Sequence, residues 1–291
     1  MQLPSLDHLD DWLATTEAKV PNLQADCAKS IVWAGAVGQR SKVAVVYVHG
    51  FSATKHELRP LPDLVAKGLS ANLHFARLTG HGQDSAAMGQ TSLTAWRADV
   101  AEAIAIGQAI GEQVLLIGCS TGCTLATDAL LRGAQAAGIV HISPNFGLAH
   151  RGAQFMLDLP YARHWGHVVA GKSRSFKPIS AEHAAYWTTH YPTKSVYSMA
   201  DAVRAVMGSG KLSDIKTPAF FGYNRADQVV SAARTERVMR DWGGKVHAHQ
   251  LHQGATCDVM GHVMAGDVFS PSQTKPLAAA ILGWFPAHQH P

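Results

Sequence analysis

Apolar and polar positions follow two different periods along most of the chain. Short runs of apolar, largely β-branched residues predict strands buried on both faces, and segments with helical spacing separate them. This alternation is typical of an α/β protein with a parallel sheet. In chain order the pattern predicts strand 43–48, helix 57–68, strand 73–78, helix 93–110, strand 114–118, helix 122–132 and strand 139–143.

The alternation stops after residue 143 and resumes near residue 218. Between 145 and 213 helix-compatible pieces mix irregularly with Gly and Pro, and no strand pattern appears. We therefore predict a core formed by 1–144 and 214–291 and a mainly helical cap at 145–213. The resumed series predicts strand 218–223, helix 231–242, strand 246–251 and a helix from about 274 to 285.

The N-terminal segment has helical spacing instead of a targeting signal. Leu9, Trp12 and Leu13 begin an amphipathic pattern that reaches Val20, and 30–33 predicts a short edge strand. Acidic residues interrupt any apolar stretch at the start, and no apolar run approaches the length of a membrane span. With four cysteines in no metal or redox pattern, we expect a cytoplasmic protein with reduced thiols and no stable membrane insertion.

A candidate nucleophile stands between predicted strand 114–118 and predicted helix 122–132. The stretch reads Gly118-Cys119-Ser120-Thr121-Gly122, which has the Gly-x-Ser-x-Gly form. In a strand–turn–helix context only small residues fit around the serine, and the tight turn exposes its hydroxyl. Ser120 is therefore the predicted nucleophile.

Two further motifs accompany this turn. The strand 43–48 runs into His49-Gly50-Phe51, and 80–82 reads Gly-His-Gly. Together these motifs resemble the α/β-hydrolase fold, and more closely its carboxylesterase and monoacylglycerol-lipase-like members, over 43–145 and 215–287. The resemblance implies an oxyanion hole formed by the backbone N–H groups of Phe51 and Thr121.

The same resemblance implies an acid and a base downstream of Ser120. Asp227 stands in an Asp-x-Val-Val pattern after predicted strand 218–223, where the family carries its carboxylate. Two histidines are candidates for the base. His262 lies in a Gly-containing loop and is preferred, whereas His252 lies at a strand end. The order Ser120, Asp227, His262 is the α/β-hydrolase order.

The expected activity is hydrolysis of short or medium acyl esters, or of monoacylglycerol-like esters, through an acyl-enzyme on Ser120. A thioesterase, amidase, carbon–carbon bond hydrolase or acyltransferase could use the same triad, and a slow-turnover ligand receptor is a further alternative. Cys119 and Cys123 depart from common family residues and leave the substrate open. We expect a small-molecule partner, no nucleic acid, no cofactor and no metal, because no helical His pair with a carboxylate is present.

The predicted cap is rich in aromatic residues. Nine of the 22 aromatic side chains of the protein fall within 145–213. They are expected to line an apolar pocket, or else to form a small core of the cap itself. Trp165 and Trp187 are the candidates for substrate contact because of their size and position.

Overall fold

A seven-stranded, mostly parallel sheet lies at the centre of the computed structural model, which describes residues 2–159 and 171–285. The strand order is β1-β3-β2-β4-β5-β8-β9, and β1 alone runs antiparallel to its neighbour. The strands are β1 (Ser30–Val32), β2 (Ser41–Val48), β3 (Asn72–Phe75), β4 (Gly111–Cys119), β5 (Gly138–Ile142), β6 (Ser173–Ser175), β7 (His190–Pro192), β8 (Ala219–Tyr223) and β9 (Val246–Gln250).

Helices flank this sheet, as expected for the predicted fold class, which the structure confirms. Short 3-10 helices cover Leu6–His8, Lys55–Glu57 and Leu212–Asp214. The α-helices within the described residues are α1 (Leu9–Glu17), α2 (Leu61–Gly68), α3 (Ser85–Met88), α4 (Leu93–Ile110), α5 (Thr121–Leu131), α6 (Arg151–Asp158), α7 (Ala181–Tyr186), α8 (Ser195–Met207), α9 (Ala232–Asp241) and α10 (Pro271–Trp284).

The central strands carry side chains into two hydrophobic clusters, one on each face of the sheet. On β2, Val45 and Tyr47 join the cluster beneath α2 and α10, while Val46 and Val48 join the cluster beneath α4 and α5. Both faces of β2 are therefore shielded from water. This is why the strand is a continuous apolar run in the sequence instead of an alternating one.

Most predicted elements are present, but the predicted helix 57–68 is wrong in its first turn. Residues Lys55–Glu57 form a 3-10 helix, and α2 begins only at Leu61. Pro60 disfavours the α conformation at the residue before it, so the helix starts after the proline. Strand β3 ends at Phe75, shorter than the predicted 73–78, and α4 has the predicted bounds.

The segment 145–213 lies between β5 and β8 along the chain, and its described residues include two short strands that the sequence pattern did not predict. It contains a two-stranded antiparallel ribbon, β6 with β7, in addition to α6, α7 and α8. The polar strand β6 is fully exposed, so it lacks the apolar alternation that would have marked it in the sequence. Helix α8 packs on α5 and shares the core, with Ala202 and Val206 fully buried.

Helix α1 packs beside β1 at one edge of the sheet, as its amphipathic pattern predicts. Leu9 and Leu13 are buried, and the Glu17 carboxylate pairs with Arg77 through N–O distances of 2.6 and 2.8 Å. All four cysteines are free, and three of them are buried. Among the described helices, none is long and apolar enough to cross a membrane.

Candidate active site

Ser120 lies at the sharp turn between β4 and α5. Its backbone has φ 48° and ψ −113°, a left-handed conformation that a non-glycine residue adopts only where its surroundings enforce it. The Ser120 N–H donates to the Ile142 carbonyl at 3.0 Å, and its own carbonyl accepts from Asn145 N–H at 3.1 Å. The strained turn is therefore held from the neighbouring strand β5 and the loop after it.

The two glycines of the motif allow the strand and the helix to meet closely. A Cβ at Gly122 would lie 2.0 Å from the Val48 carbonyl oxygen, and one at Gly118 would lie 2.7 Å from the Cys123 nitrogen. Both obstacles are backbone atoms, which cannot swing aside as a side chain could. Small residues at these two positions are thus a packing requirement of the turn.

The structure brings the three predicted site residues together. His262 Nε2 lies 3.1 Å from Ser120 Oγ, and His262 Nδ1 lies 2.8 Å from Asp227 Oδ2. The other carboxylate oxygen of Asp227 accepts the N–H groups of Val229 and Val230 at 2.8 and 2.9 Å. Those bonds fix the carboxylate, so the imidazole donates from Nδ1 and leaves Nε2 to accept the serine proton.

The alternative base lies elsewhere. His252 is exposed just after β9, and none of the described contacts joins its ring to Ser120 or Asp227. His262 comes ten residues later and reaches the site through a loop. The geometry therefore favours His262 over His252.

Asp258 shapes the loop that carries His262, and the sequence analysis did not identify it. One oxygen of its buried carboxylate accepts the N–H groups of His262 and Val263 at 3.0 and 2.9 Å. Its own N–H donates to Ser270 Oγ, which in turn donates to the Val263 carbonyl. A carboxylate that accepts successive N–H groups organises a turn in this way.

The surroundings of His262 favour its protonated form. Burial by itself disfavours the charge, but the Asp227 carboxylate more than compensates, with smaller contributions from Glu57 and Asp258, so the pKa of His262 is raised above its usual 6.5. An imidazole with this bias holds a proton firmly once it has taken one. That property suits a base that must carry a proton between two steps.

Two hydrogen bonds fix the peptide group before Phe51. His49 Nε2 accepts the Leu78 N–H at 3.1 Å, so its proton is on Nδ1, which donates to the Gly50 carbonyl at 2.8 Å. Burial lowers the pKa of His49 to about 4, which keeps this imidazole neutral. In a trans-planar peptide the N–H points opposite to the C=O, so the Phe51 N–H is held in one fixed direction. The second predicted donor is the Thr121 N–H. Thr121 is the first residue of α5, and the N–H groups of the first turn of a helix have no partner within that helix.

A cavity of about 870 Å³ opens beside Ser120 and His262. Its walls are mostly apolar and come from both the core and the segment 145–213. Ile179 and Val259 line it while being 64% and 77% exposed, so the cavity opens to solvent past hydrophobic side chains. A chamber of this kind suits an apolar ligand with one polar reactive group.

Some of the predicted cap aromatics line this cavity and others do not. Trp187 lines it and packs edge-on against Phe269 at 5.3 Å, whereas Tyr186 stacks on His56 instead. Phe146 is buried in the core. Trp165 lies outside the described residues. Phe269, from the loop before α10, was missed because a single aromatic in a loop carries no periodic signal.

Among the described residues, no group of three or more His, Cys, Asp or Glu side chains has an arrangement that could hold a metal ion. The described site combines a serine, an imidazole, the carboxylates of Asp227 and Asp258 that act on that imidazole or its loop, and an apolar chamber. A hydroxyl hydrogen-bonded to an imidazole, which is itself oriented by a carboxylate, is the arrangement of an activated nucleophile.

The fold agrees with that of similar proteins. The alpha/beta hydrolase family model matches residues 45–280, and the chain belongs to this family.

The sequence identity to individual similar proteins is low. The chain is 25% identical over 202 residues to a thermostable monoacylglycerol lipase from Bacillus sp. (strain H-257), a match that covers 69% of this chain and 77% of that protein. A solved structure of the metagenome-derived lipolytic enzymes LipS and LipT superposes with a TM-score of 0.70 at 19% identity, covering 92% of this chain and 99% of that chain. The structure of the monoacylglycerol lipase from Paleococcus ferrophilus superposes with a TM-score of 0.63 at 18% identity. This match covers 89% of this chain and 98% of that chain.

Proposed function

We propose that the protein hydrolyses carboxylic esters through an acyl-enzyme formed on Ser120. The observation that carries this proposal is the continuous pair of hydrogen bonds from Asp227 through His262 to Ser120 at the wall of an apolar cavity. Membership of the family and the similarity to monoacylglycerol lipases and other lipolytic enzymes support the same class of reaction.

In the proposed first step, Ser120 Oγ attacks the ester carbonyl carbon while His262 Nε2 accepts the hydroxyl proton. Asp227 keeps the ring oriented and stabilises the imidazolium. The backbone N–H groups of Phe51 and Thr121 would donate to the carbonyl oxygen as it becomes negative. Each such fixed donor contributes about 3–4 kcal/mol to the transition state.

The tetrahedral intermediate then collapses. His262 gives its proton to the leaving alkoxide, and the alcohol departs, leaving the acyl group on Ser120. A water molecule next attacks the acyl carbon, with His262 as the base again, and the carboxylic acid and free Ser120 are regenerated. No other proton carrier is required.

The cavity supports an apolar acyl group as the part of the substrate that is recognised. Its apolar walls offer few partners for a charged or strongly polar chain, so we propose short to medium acyl esters or monoacylglycerol-like esters as substrates. Each buried methylene would add up to about 0.8 kcal/mol of binding, until the chamber is full.

A panel of p-nitrophenyl esters from acetate to dodecanoate tests the proposal, alongside matched thioester and anilide substrates. We expect the esters to turn over fastest, and Ser120→Ala to lose about 10⁶-fold in kcat. A fluorophosphonate probe should label the wild-type protein at Ser120. His252→Ala is the control for the base and should retain both activity and labelling.

Labelling of another serine, or full activity of Ser120→Ala, would contradict the proposed nucleophile. If the anilide or thioester outpaced every oxygen ester, the proposed bond specificity would be wrong, although the nucleophile could stand. Stoichiometric labelling without turnover of any substrate would favour the ligand-receptor alternative.

A further inference from the structure

A second acidic side chain lies at the wall of the cavity, outside the Ser120, His262, Asp227 arrangement. Glu57 lines the same cavity as Ser120 and His262, yet the residue itself is only 3% exposed. None of the ion pairs among the described residues includes it. A buried carboxylate without a cationic partner is costly, so its retention calls for a physical reason.

The contacts of Glu57 point to the loop that carries Phe51. Its Oε2 atom accepts the Gly50 N–H at 2.7 Å and the Tyr47 hydroxyl at 3.1 Å. His49 holds the carbonyl of the same Gly50 residue at 2.8 Å. Gly50 is thus held at both its N–H and its C=O, and a Cβ there would lie 2.6 Å from Glu57 Oε1.

Glu57 and His262 line the same cavity, where a negative charge on Glu57 favours the protonated form of the imidazole. The titratable groups that face Glu57 are Tyr47 on β2, Cys119 at the end of β4, Cys123 on α5, and His262. Burial raises the pKa of both thiols and of the Tyr47 hydroxyl, so these three groups are neutral. The cation that can form beside Glu57 is therefore the imidazolium of His262, which Asp227 and Asp258 also face.

We propose that Glu57 is a positioning residue for the proposed hydrolysis, holding Gly50 in place through its N–H and providing a further negative charge that stabilises protonated His262. The inference rests on the proposed function. Burial raises the pKa of Glu57, while hydrogen bonds from Gly50, Cys119 and Tyr47 and the field of His262 oppose that rise. The carboxylate and the imidazole therefore stabilise each other's charged forms across the cavity wall.

Two substitutions separate the two effects. Glu57→Gln keeps an acceptor for Gly50 N–H and removes the charge. Glu57→Asp keeps the charge and shortens the side chain by one methylene, which withdraws the acceptor from Gly50. Asp63→Asn, in α2 of the same segment, is the matched control for loss of a carboxylate that does not face His262.

The first measurement is an NMR titration of the His262 ring in the full-length protein, assigned by comparison with His262→Gln. It needs no turnover, so it remains informative if the proposed function fails. We expect Glu57→Gln to lower the His262 midpoint by about 0.5–1 unit, a coupling of ordinary size between partly buried charges. Asp63→Asn should leave the midpoint unchanged. An unchanged midpoint in a folded Glu57→Gln variant overturns the electrostatic role.

The second measurement is kcat/KM against pH with a p-nitrophenyl ester. Glu57→Asp should keep the acid-limb midpoint near that of the wild type, while its kcat/KM at the pH plateau should fall by up to about 100-fold, the cost of misplacing a catalytic group by about 1 Å. An undiminished plateau overturns the positioning role. Should Glu57→Gln fail to fold, Glu57→Met removes the charge for the NMR titration, and Glu57→Asp still tests the positioning role by its plateau. Absence of ester hydrolysis by the wild type would instead refute the proposed function.

Discussion

Thr188 donates its backbone N–H to the Ser52 carbonyl at 2.8 Å, which ties the segment 145–213 to the loop that carries Phe51. The residue before Thr188 is Trp187, whose ring lines the cavity. The aromatic wall and the proposed oxyanion loop are therefore joined within a few residues. A change in the wall need not disturb the reacting atoms, because the joining bond is between backbone atoms.

Trp187→Ala should shift the preferred acyl chain towards longer esters. Removing the indole enlarges the chamber, and each additional methylene that finds a place contributes up to about 0.8 kcal/mol. Hydrolysis of p-nitrophenyl acetate should stay within a few-fold of the wild type. The measurement is kcat/KM across the ester panel.

Tyr186→Ala is the control for this experiment, since that ring stacks on His56 at 3.7 Å and does not line the cavity. Its chain-length profile should match the wild type. If Trp187→Ala also kept the wild-type profile, this part of the segment would be structural only, and specificity would reside in other walls.

The pH profile of kcat/KM should rise through a single ionisation with a midpoint above 6.5. His262 must be neutral to accept the Ser120 proton, and Asp227 is the main group that raises its pKa. Activity is therefore lost as pH falls through this raised value. Asp227→Asn should lower the midpoint and reduce kcat about 10⁴-fold. A wild-type midpoint at or below 6.5 would contradict the assignment of His262 as the base.

His141→Phe should stabilise the protein and weaken its sensitivity to acid. His141 is fully buried in β5, stacks on Phe221 at 4.5 Å, and has no hydrogen-bond partner at either ring nitrogen. Burial lowers its pKa to about 3. The unfolded chain binds a proton below about pH 6.5 and the folded chain does not, so this residue costs about 1.4 kcal/mol of stability per pH unit as pH falls from 6.5 towards 3.

Urea unfolding at pH 7 and pH 5 measures this effect. At pH 7 we expect a gain of about 1–2 kcal/mol from removing the unpaired ring nitrogens, and a larger gain at pH 5. His252→Phe, at an exposed position, should show no such pH-dependent gain. A loss of stability at pH 5 in His141→Phe would mean that overpacking outweighs the removed polar groups.

Gly122→Ala should disrupt both stability and activity. The added methyl group would meet the Val48 carbonyl oxygen at 2.0 Å, so β2 or α5 must move, at about 2–3 kcal/mol. The movement would displace the loop that follows Val48. Gly283→Ala is the opposite case, because Gly283 is exposed and no atom outside the helix backbone lies within 4 Å of a Cβ added there, so this variant should gain about 0.5–1 kcal/mol. Thermal unfolding of both variants checks this pair, and equal midpoints would contradict the packing argument.

How much of the site is predictable from the sequence depends on the range of the interactions that form it. Ser120 is specified by a local turn between a strand and a helix, so its motif identifies it. Glu57 carries no such local signal. Its carboxylate is buried against Gly50, seven residues earlier, by a loop and a 3-10 helix that have no periodic pattern. Asp258 is similar, since its acceptor role depends on a loop that has no periodic pattern.

The same distinction explains the errors in the fold. Strands β2, β4 and β5 are buried on both faces, so their apolar runs identify them without knowledge of their neighbours. In the ribbon, β6 is exposed and polar and β7 buries only Tyr191, so neither short strand carries an apolar alternation. The predicted division between the core and 145–213 stays a prediction, with α8 packed firmly on α5.

The strand order has a consequence for the biosynthesis of this protein. Ser120, Asp227 and His262 follow β4, β8 and β9, and β9 comes after the other two strands in the chain and lies at the edge of the sheet. In a ribosome-bound chain from which His262 has not yet emerged, the proposed base is missing. Most of the sheet and the serine turn can already be present in such a chain. Hydrolysis would thus begin only after His262 has left the ribosome and β9 has docked, so a nascent chain that already holds the serine turn stays inert towards esters until then.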